Sequence, residues 1–243
     1  MDALECARST RGAVVDVPSG FMIDPGLYQR GAEVGLPGAG IYVAGRAGVL
    51  GRVHADVVVA AFGVFHPEMI RNAWDDSLRV MEPAEAARHF AEYAAEWARG
   101  HLADGPDYGR LADLAGRVAA AADPAGAPLF AAWRAAAELE PDDPKALALH
   151  RLNVLRELRG ARHIGAVLAA GLTPLEAVMV KTPFMASVFG WPEPHPDPEP
   201  VRDRWDEAER LTEEMTARDL AVLDASELAE FADLCVQLQA AVR

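Results

Sequence analysis

The 243-residue sequence predicts an all-α protein, a multi-helical bundle. Three observations point there. Apolar residues recur at helical spacing through most of the chain, and the longest such pattern runs from Ala146 to Gly171. The one valine-rich run, between His54 and Gly63, has no second strand-like run to pair with. Prolines and glycines cut the remainder into helix-length pieces.

Residues 2–17 read as a helix, with Val14, Val15 and Val17 open to an extended conformation before the breaker Pro18-Ser19-Gly20. Asp24-Pro25 reads as an N-cap and first helical residue, opening a helix to about Gly35. GAGIYVAGRAGVLG has the wrong glycine spacing for a dinucleotide fingerprint and reads as a helix packed closely through its small residues, with Arg46 its lone cation. The run 54–63 is assigned helix. Pro67 opens the next helix and leaves His66 at its N-terminus, where the helix dipole favours a neutral imidazole able to act as a base; the alternative is a capping or core histidine. Glu82-Pro83 opens a helix to His101, a further helix spans 107–122, and Pro128 opens another. Pro141-Asp142-Asp143-Pro144 caps the long central helix. Thr173 with Glu176 has capping-box spacing, and Thr182-Pro183 breaks the chain again. Alternating prolines over 190–200 predict an extended strap, followed by an acidic helix at 201–218 and a closing helix at 225–242. The domain reading is a helical region at 1–140, then the central helix and a C-terminal subdomain at 141–243.

Half the residues are hydrophobic, which indicates a globular chain. The net charge of −14 reads as solubility and opposes a phosphate backbone or an anionic membrane, so DNA is not the expected partner. No segment has transmembrane length or signal-peptide character, and Cys6 and Cys235 lack metal-ligand spacing. A cytoplasmic protein with reduced thiols is expected.

None of the seven histidines stands at i,i+4 to another, and no HExxH, GxSxG or Walker motif occurs, so no metal site or cofactor is expected. What stands out is a set of basic groups. At about 100° per residue, Arg156, Arg159 and His163 share a narrow arc of the central helix. With Arg46, His66 and His150 they form a dispersed cluster suited to clamping an anion and moving a proton. In this assignment His66 and His163 are the catalytic candidates, and Arg46, Arg156, Arg159, His150, Tyr42 and Trp74 bind the substrate.

Two stretches, GRAGVLGRVHADVVVAAFGVFHPEMIRNAWD and LRELRGARHIGAVLAAGLTPLEAV, resemble an actinobacterial helix-turn-helix family, and the resemblance covers roughly residues 40–240. Gly45-Arg46, Leu50-Gly51, Phe65-His66-Pro67 and Trp74 match in the first stretch. In the second, Arg156, Glu157, Arg159, Gly160 and His163 match, while Leu158 replaces a family histidine and Ala161 and Arg162 replace an aspartate and a glycine. The resemblance implies a small winged-helix-like C-terminal subdomain, with helices near 164–170 and 174–182, a recognition-type helix at 201–218 and a wing at 219–226. The acidity of the 201–218 helix opposes a place in the major groove.

The leading expectation is a cofactor-independent enzyme of specialised (secondary) metabolism, acting on a small, partly apolar organic acid or polyketide-like substrate by cyclase, lyase or isomerase chemistry. The alternatives are a ligand-responsive transcription regulator and a non-catalytic small-molecule-binding or assembly protein, the latter a homodimer through its C-terminal helix.

Overall fold

The computed structural model describes residues 1–243 and contains twelve α-helices and no β-strand. In chain order these are α1 (Ala3–Ile23), α2 (Pro25–Glu33), α3 (Ala39–Ala47), α4 (Ala55–Phe62), α5 (Pro67–Ser77), α6 (Pro83–His101), α7 (Tyr108–Ala121), α8 (Pro128–Ala135), α9 (Pro144–Ala169), α10 (Pro174–Lys181), α11 (Arg202–Leu220) and α12 (Ala225–Ala241). The protein is a multi-helical bundle.

The predicted start signals operate as capping chemistry requires. Asp24 and Asp143 accept hydrogen bonds from the first-turn amides of α2 and α9, and Thr173 with Glu176 forms a complete capping box on α10. The exception is Pro18. It does not break α1, which continues to Ile23. Proline removes one backbone donor, but burial of Val14, Val17, Pro18, Phe21 and Met22 against neighbouring helices outweighs that local cost. The Ser19 hydroxyl donates to the Val15 carbonyl (2.6 Å), back-bonding within the turn.

The long helix α9 is the centre of the bundle, packed by α1, α6, α7, α8 and α11. The main core draws on helices from both sides of residue 140, and a smaller cluster of Ala166, Val167, Leu172, Ala177, Val201 and Ala208 joins the end of α9 to α10 and α11. The closing helix α12, considered from sequence as a surface for a second copy, buries Leu228, Phe231, Cys235 and Leu238 within its own chain, against α1 and α7. This packing carries Cys6 and Cys235 from opposite chain ends into one core, where burial pushes the Cys6 thiol up to about 11.

Small residues on α3 act as the sequence suggests. A Cβ on Gly45 would lie 2.7 Å from the Phe90 Cβ, and one on Gly48 would lie 2.0 Å from the Pro83 carbonyl oxygen. The contact seats α3 tightly on α6 and turns Tyr42 and Arg46, one helical turn apart, to the opposite side.

The C-terminal part differs from the winged-helix expectation. Residues 221–224 form a tight turn between α11 and α12, so there is no β wing; the turn ends in the capping box of Asp224 and Glu227, which starts a helix at once. Nor does α11 follow α10 across a tight turn, because residues 182–201 separate the two. A pair with helix-turn-helix geometry is α9 and α10. They meet at 108° across residues 170–173, with Gly171 at φ +77°.

Gly48 has an ordinary helical φ, so a side chain there meets only steric resistance, and from a backbone oxygen that cannot rotate away. Gly48→Ala is expected to lower stability by about 1–3 kcal/mol, read as a lower urea midpoint at unchanged slope.

Candidate functional site

Between α1, α3, α4 and α9 lies a chamber of about 710 Å³. Its walls are mostly apolar, with Met22, Phe62, Phe65, Met69 and Ile164 among them. One side is formed by residues 182–191, which follow α10 and contribute Met185, Val188 and Phe189. This flap is fastened to the N-terminal region. The His66 amide donates to the Phe189 carbonyl (2.8 Å), Trp191 Nε1 donates to the Val64 carbonyl (2.9 Å), and the Phe65 and Phe189 rings lie 4.4 Å apart. Gly160 leaves open space above α9, since a Cβ there would touch nothing within 4 Å.

The floor of the chamber is a buried ion pair. Arg46 Nε and Nη2 each donate to a Glu157 carboxylate oxygen at 2.8 Å, joining α3 to α9 in fork geometry. Arg46 Nη1 donates to the Tyr42 hydroxyl (3.1 Å), and the guanidinium lies 4.5 Å over the Phe62 ring. Arg156 donates through Nη1 to Glu157 (3.2 Å) and through Nε to the Ser19 hydroxyl (3.2 Å). Burial works against both charges of the central pair. It is more than offset at Arg46 by Glu157 and Tyr42, and at Glu157 by the two arginines, so Arg46 is held above its ordinary pKa and Glu157 below the usual carboxylate range.

Farther along α9, Arg159 faces Glu209 of α11 at 3.7 Å, too far for a hydrogen bond, and its buried Nη2 has no partner. Glu209 is shared with Arg11, whose Nη1 lies 2.8 Å away. Burial lowers the Arg159 pKa, with Glu209 working in the other direction. The Thr212 hydroxyl donates to the Ala208 carbonyl (2.7 Å), so His163 Nδ1, 3.0 Å from that hydroxyl, is the donor to it. This leaves His163 Nε2 as an acceptor. Burial, then Arg159, Arg11 and Lys181, lower the His163 pKa to about 4, so the ring is neutral near pH 7.

Of the residues singled out from sequence, Arg46, Tyr42, Arg156, Arg159 and His163 line this chamber. Three lie elsewhere. His66 fastens the flap through its backbone and packs its ring edge-on to Trp191 at 5.0 Å. His150 sits beside Trp133 on another side of α9, its pKa lowered by burial. Trp74 is fully buried in the core and donates to the Val53 carbonyl. The departures from the family pattern also find places: Leu158 is in the core, Ala161 lines the chamber, and Arg162 braces Asp219 and the carbonyls of Asp123 and Ala125. The charged chamber residue missing from the sequence-derived set is Glu157. Its signal was a carboxylate on the inward side of an otherwise apolar helical stretch, which burial permits only with a partner.

Removing one partner of a buried pair strands the other charge. Glu157→Gln is expected to cost about 3–5 kcal/mol in unfolding free energy, while Arg46→Met/Glu157→Leu recovers much of that loss; denaturant melts of the three variants measure it. His163 supplies a pH signature. Its ordinary value is 6.5 and its folded value about 4, so the unfolded state binds the extra proton between them. Stability is full above pH 6.5 and falls by up to about 3 kcal/mol as the pH drops towards 4. His150 acts in the same direction. His163→Asn should flatten this slope in urea titrations between pH 4.5 and 7.5.

Comparison with known proteins corrects the functional expectation. Residues 7–199 match a helix-turn-helix family. No curated protein and no solved structure matches the chain. The family overturns both the reading as a cofactor-independent enzyme and the expectation that DNA is not a partner. The structure supplies the physical reason the enzyme reading misled: it treated the basic groups as free reagents, whereas Arg46 is bound by Glu157 and His163 is tied to Thr212. The net charge misled in the same way, being a property of the whole surface that does not describe one helix pair. The matched region takes in α9, the turn at Gly171 and α10, and the chain belongs to this helix-turn-helix family.

Proposed function

We propose that the protein is a ligand-responsive helix-turn-helix transcription regulator: a small molecule occupies the chamber, and the α9–turn–α10 unit binds DNA. The observation that carries this reading is the position of α10. Upstream it is joined by a four-residue turn to α9, whose residues 156–164 line the chamber; downstream it runs into the flap at 182–191, which lines the same chamber. A ligand that fills the space between α9 and Phe189 therefore bears on both ends of the second helix. It shifts DNA affinity to the extent that it binds one placement of the flap better than another. Such a regulator acts in the cytoplasm. No single helix is long and apolar enough to cross a membrane.

Electrostatics sets the scale of DNA binding. The cation of α10 is Lys181, in its last turn, and beside the 170–173 turn stands Arg204, whose Nη1 donates to the Gly171 carbonyl (3.3 Å). Two phosphate contacts per chain imply a salt slope of about −2, or roughly a tenfold loss of affinity between 50 and 200 mM salt. The acidic remainder of the surface keeps non-specific binding weak. Selection from a pool of random duplexes, followed by gel shift over that salt range, tests the proposal. Retained duplexes with a slope near −2 are expected, and Lys181→Ala should reduce the slope by about 0.9. Failure to retain any duplex at 50 mM salt refutes it.

A further inference from the structure

The regulator reading leaves open what the chamber holds, and its free hydrogen-bonding groups narrow the choice. The Ser19 hydroxyl is used on both sides, as acceptor from Arg156 and donor to Val15. Both oxygens of Glu157 are occupied by Arg46, and one also by Arg156. The groups left over are chiefly donors. Arg156 Nη2 has no protein partner; the Tyr42 hydroxyl accepts from Arg46 and has its own proton to give; Arg159 Nη2 is buried and unpartnered. Among the chamber's lining residues the remaining acceptor is His163 Nε2; outside the lining, the buried Glu209 Oε2, 3.7 Å from Arg159 Nη2, also lacks a hydrogen-bond partner.

The charge count has the same sign. Arg46 and Arg156 share the single carboxylate of Glu157, and Arg159 and Arg11 share that of Glu209. At the floor of the chamber two guanidiniums thus meet one carboxylate, a local positive surplus inside a protein of net charge −14, whereas around Arg159 and Arg11 stand the carboxylates of Glu209, Glu213 and Asp16. Arg159 is nine-tenths buried with its Nη2 unmet by any hydrogen bond, and burial lowers its pKa even though Glu209, Glu213 and Asp16 work the other way. A neutral ligand would leave these donors unmet, and a cationic ligand would add to the surplus.

We infer, resting on the reading of the chamber as the effector site, that it takes an amphiphilic organic acid, its carboxylate received by Arg156, Arg159 and the Tyr42 hydroxyl and its apolar body lying against Met22, Phe62 and Phe189. Arg156 and Arg159 stand at i and i+3 on α9, close enough to address one carboxylate together. The chamber volume suits a drug-sized molecule.

Two matched pairs test this by calorimetric titration of the full chain: dodecanoate against dodecan-1-ol, and anthracene-9-carboxylate against 9-anthracenemethanol. Within a pair the body is constant and only the head group changes. At least one acid is expected to bind about 10- to 100-fold more tightly than its alcohol, the worth of one or two charge-assisted hydrogen bonds. In Arg156→Met and Arg159→Met that preference should fall at least tenfold, the acid's affinity dropping far more than the alcohol's, while Arg159→Lys keeps most of it. Circular dichroism checks that each variant is folded. Equal binding of acid and alcohol in both pairs, no binding of any of the four, or a preference untouched by both methionine variants overturns the inference. The measurement needs no DNA. An acid that binds without altering duplex retention removes the regulator reading and leaves this one standing; duplex binding by a chain with no preference for acids does the reverse.

Discussion

The buried pair of Arg46 and Glu157 is the contact on which the rest of the site depends. Taking two charges out of water costs several kcal/mol per ion, and such a pair persists only where every remaining polar valence is met. Here the fork of Arg46 engages both oxygens of Glu157, its third nitrogen reaches Tyr42, its flat face lies over Phe62, and its backbone carbonyl accepts from Trp133 Nε1. The pair ties α3 to α9 at one register. An apolar contact of the same area would tolerate sliding, whereas a bidentate ion pair does not, and its position fixes where Arg156 and Gly160 face the chamber.

That constraint is set up from the far side of α3. Gly45 and Gly48 let the helix sit directly against Phe90 and Pro83, and the tight seat presents Tyr42 and Arg46 to the cavity. The opposite wall depends on a feature that runs against local propensity. Because α1 passes through Pro18 unbroken, Ser19, Met22 and Ile23 reach the chamber from a single rigid helix. Tertiary burial decides both cases: Gly45, which weakens α3 as an isolated helix, and Pro18, which weakens α1, are retained where packing gains more than propensity loses.

The proposed regulation rests on continuity. α9 carries the polar floor of the chamber at its middle and the Gly171 turn at its end, and the chain beyond α10 returns to close the same space. The flap is held by two hydrogen bonds and a few aromatic contacts, far fewer than hold α9, so it is the element whose placement changes at least cost. His66, placed by sequence among the proton-handling groups, belongs instead to this fastening.

The sequence by itself determined the helical class, nearly all helix starts, and the arc of Arg156, Arg159 and His163, because capping residues and apolar periodicity act over one or two turns and are written locally. It also determined that Arg46 is unusual, a lone cation among small residues. Only the tertiary structure decided which charges were free. Arg46 and Glu157 are 111 residues apart, and Arg159 and Glu209 lie on different helices, so neither pairing leaves a spacing signal. The same holds for the missing wing and for the helix pair that forms the tight turn. Those depend on whether residues 219–226 and 182–201 find strand partners or a cavity to cover, which long-range packing settles and local sequence does not.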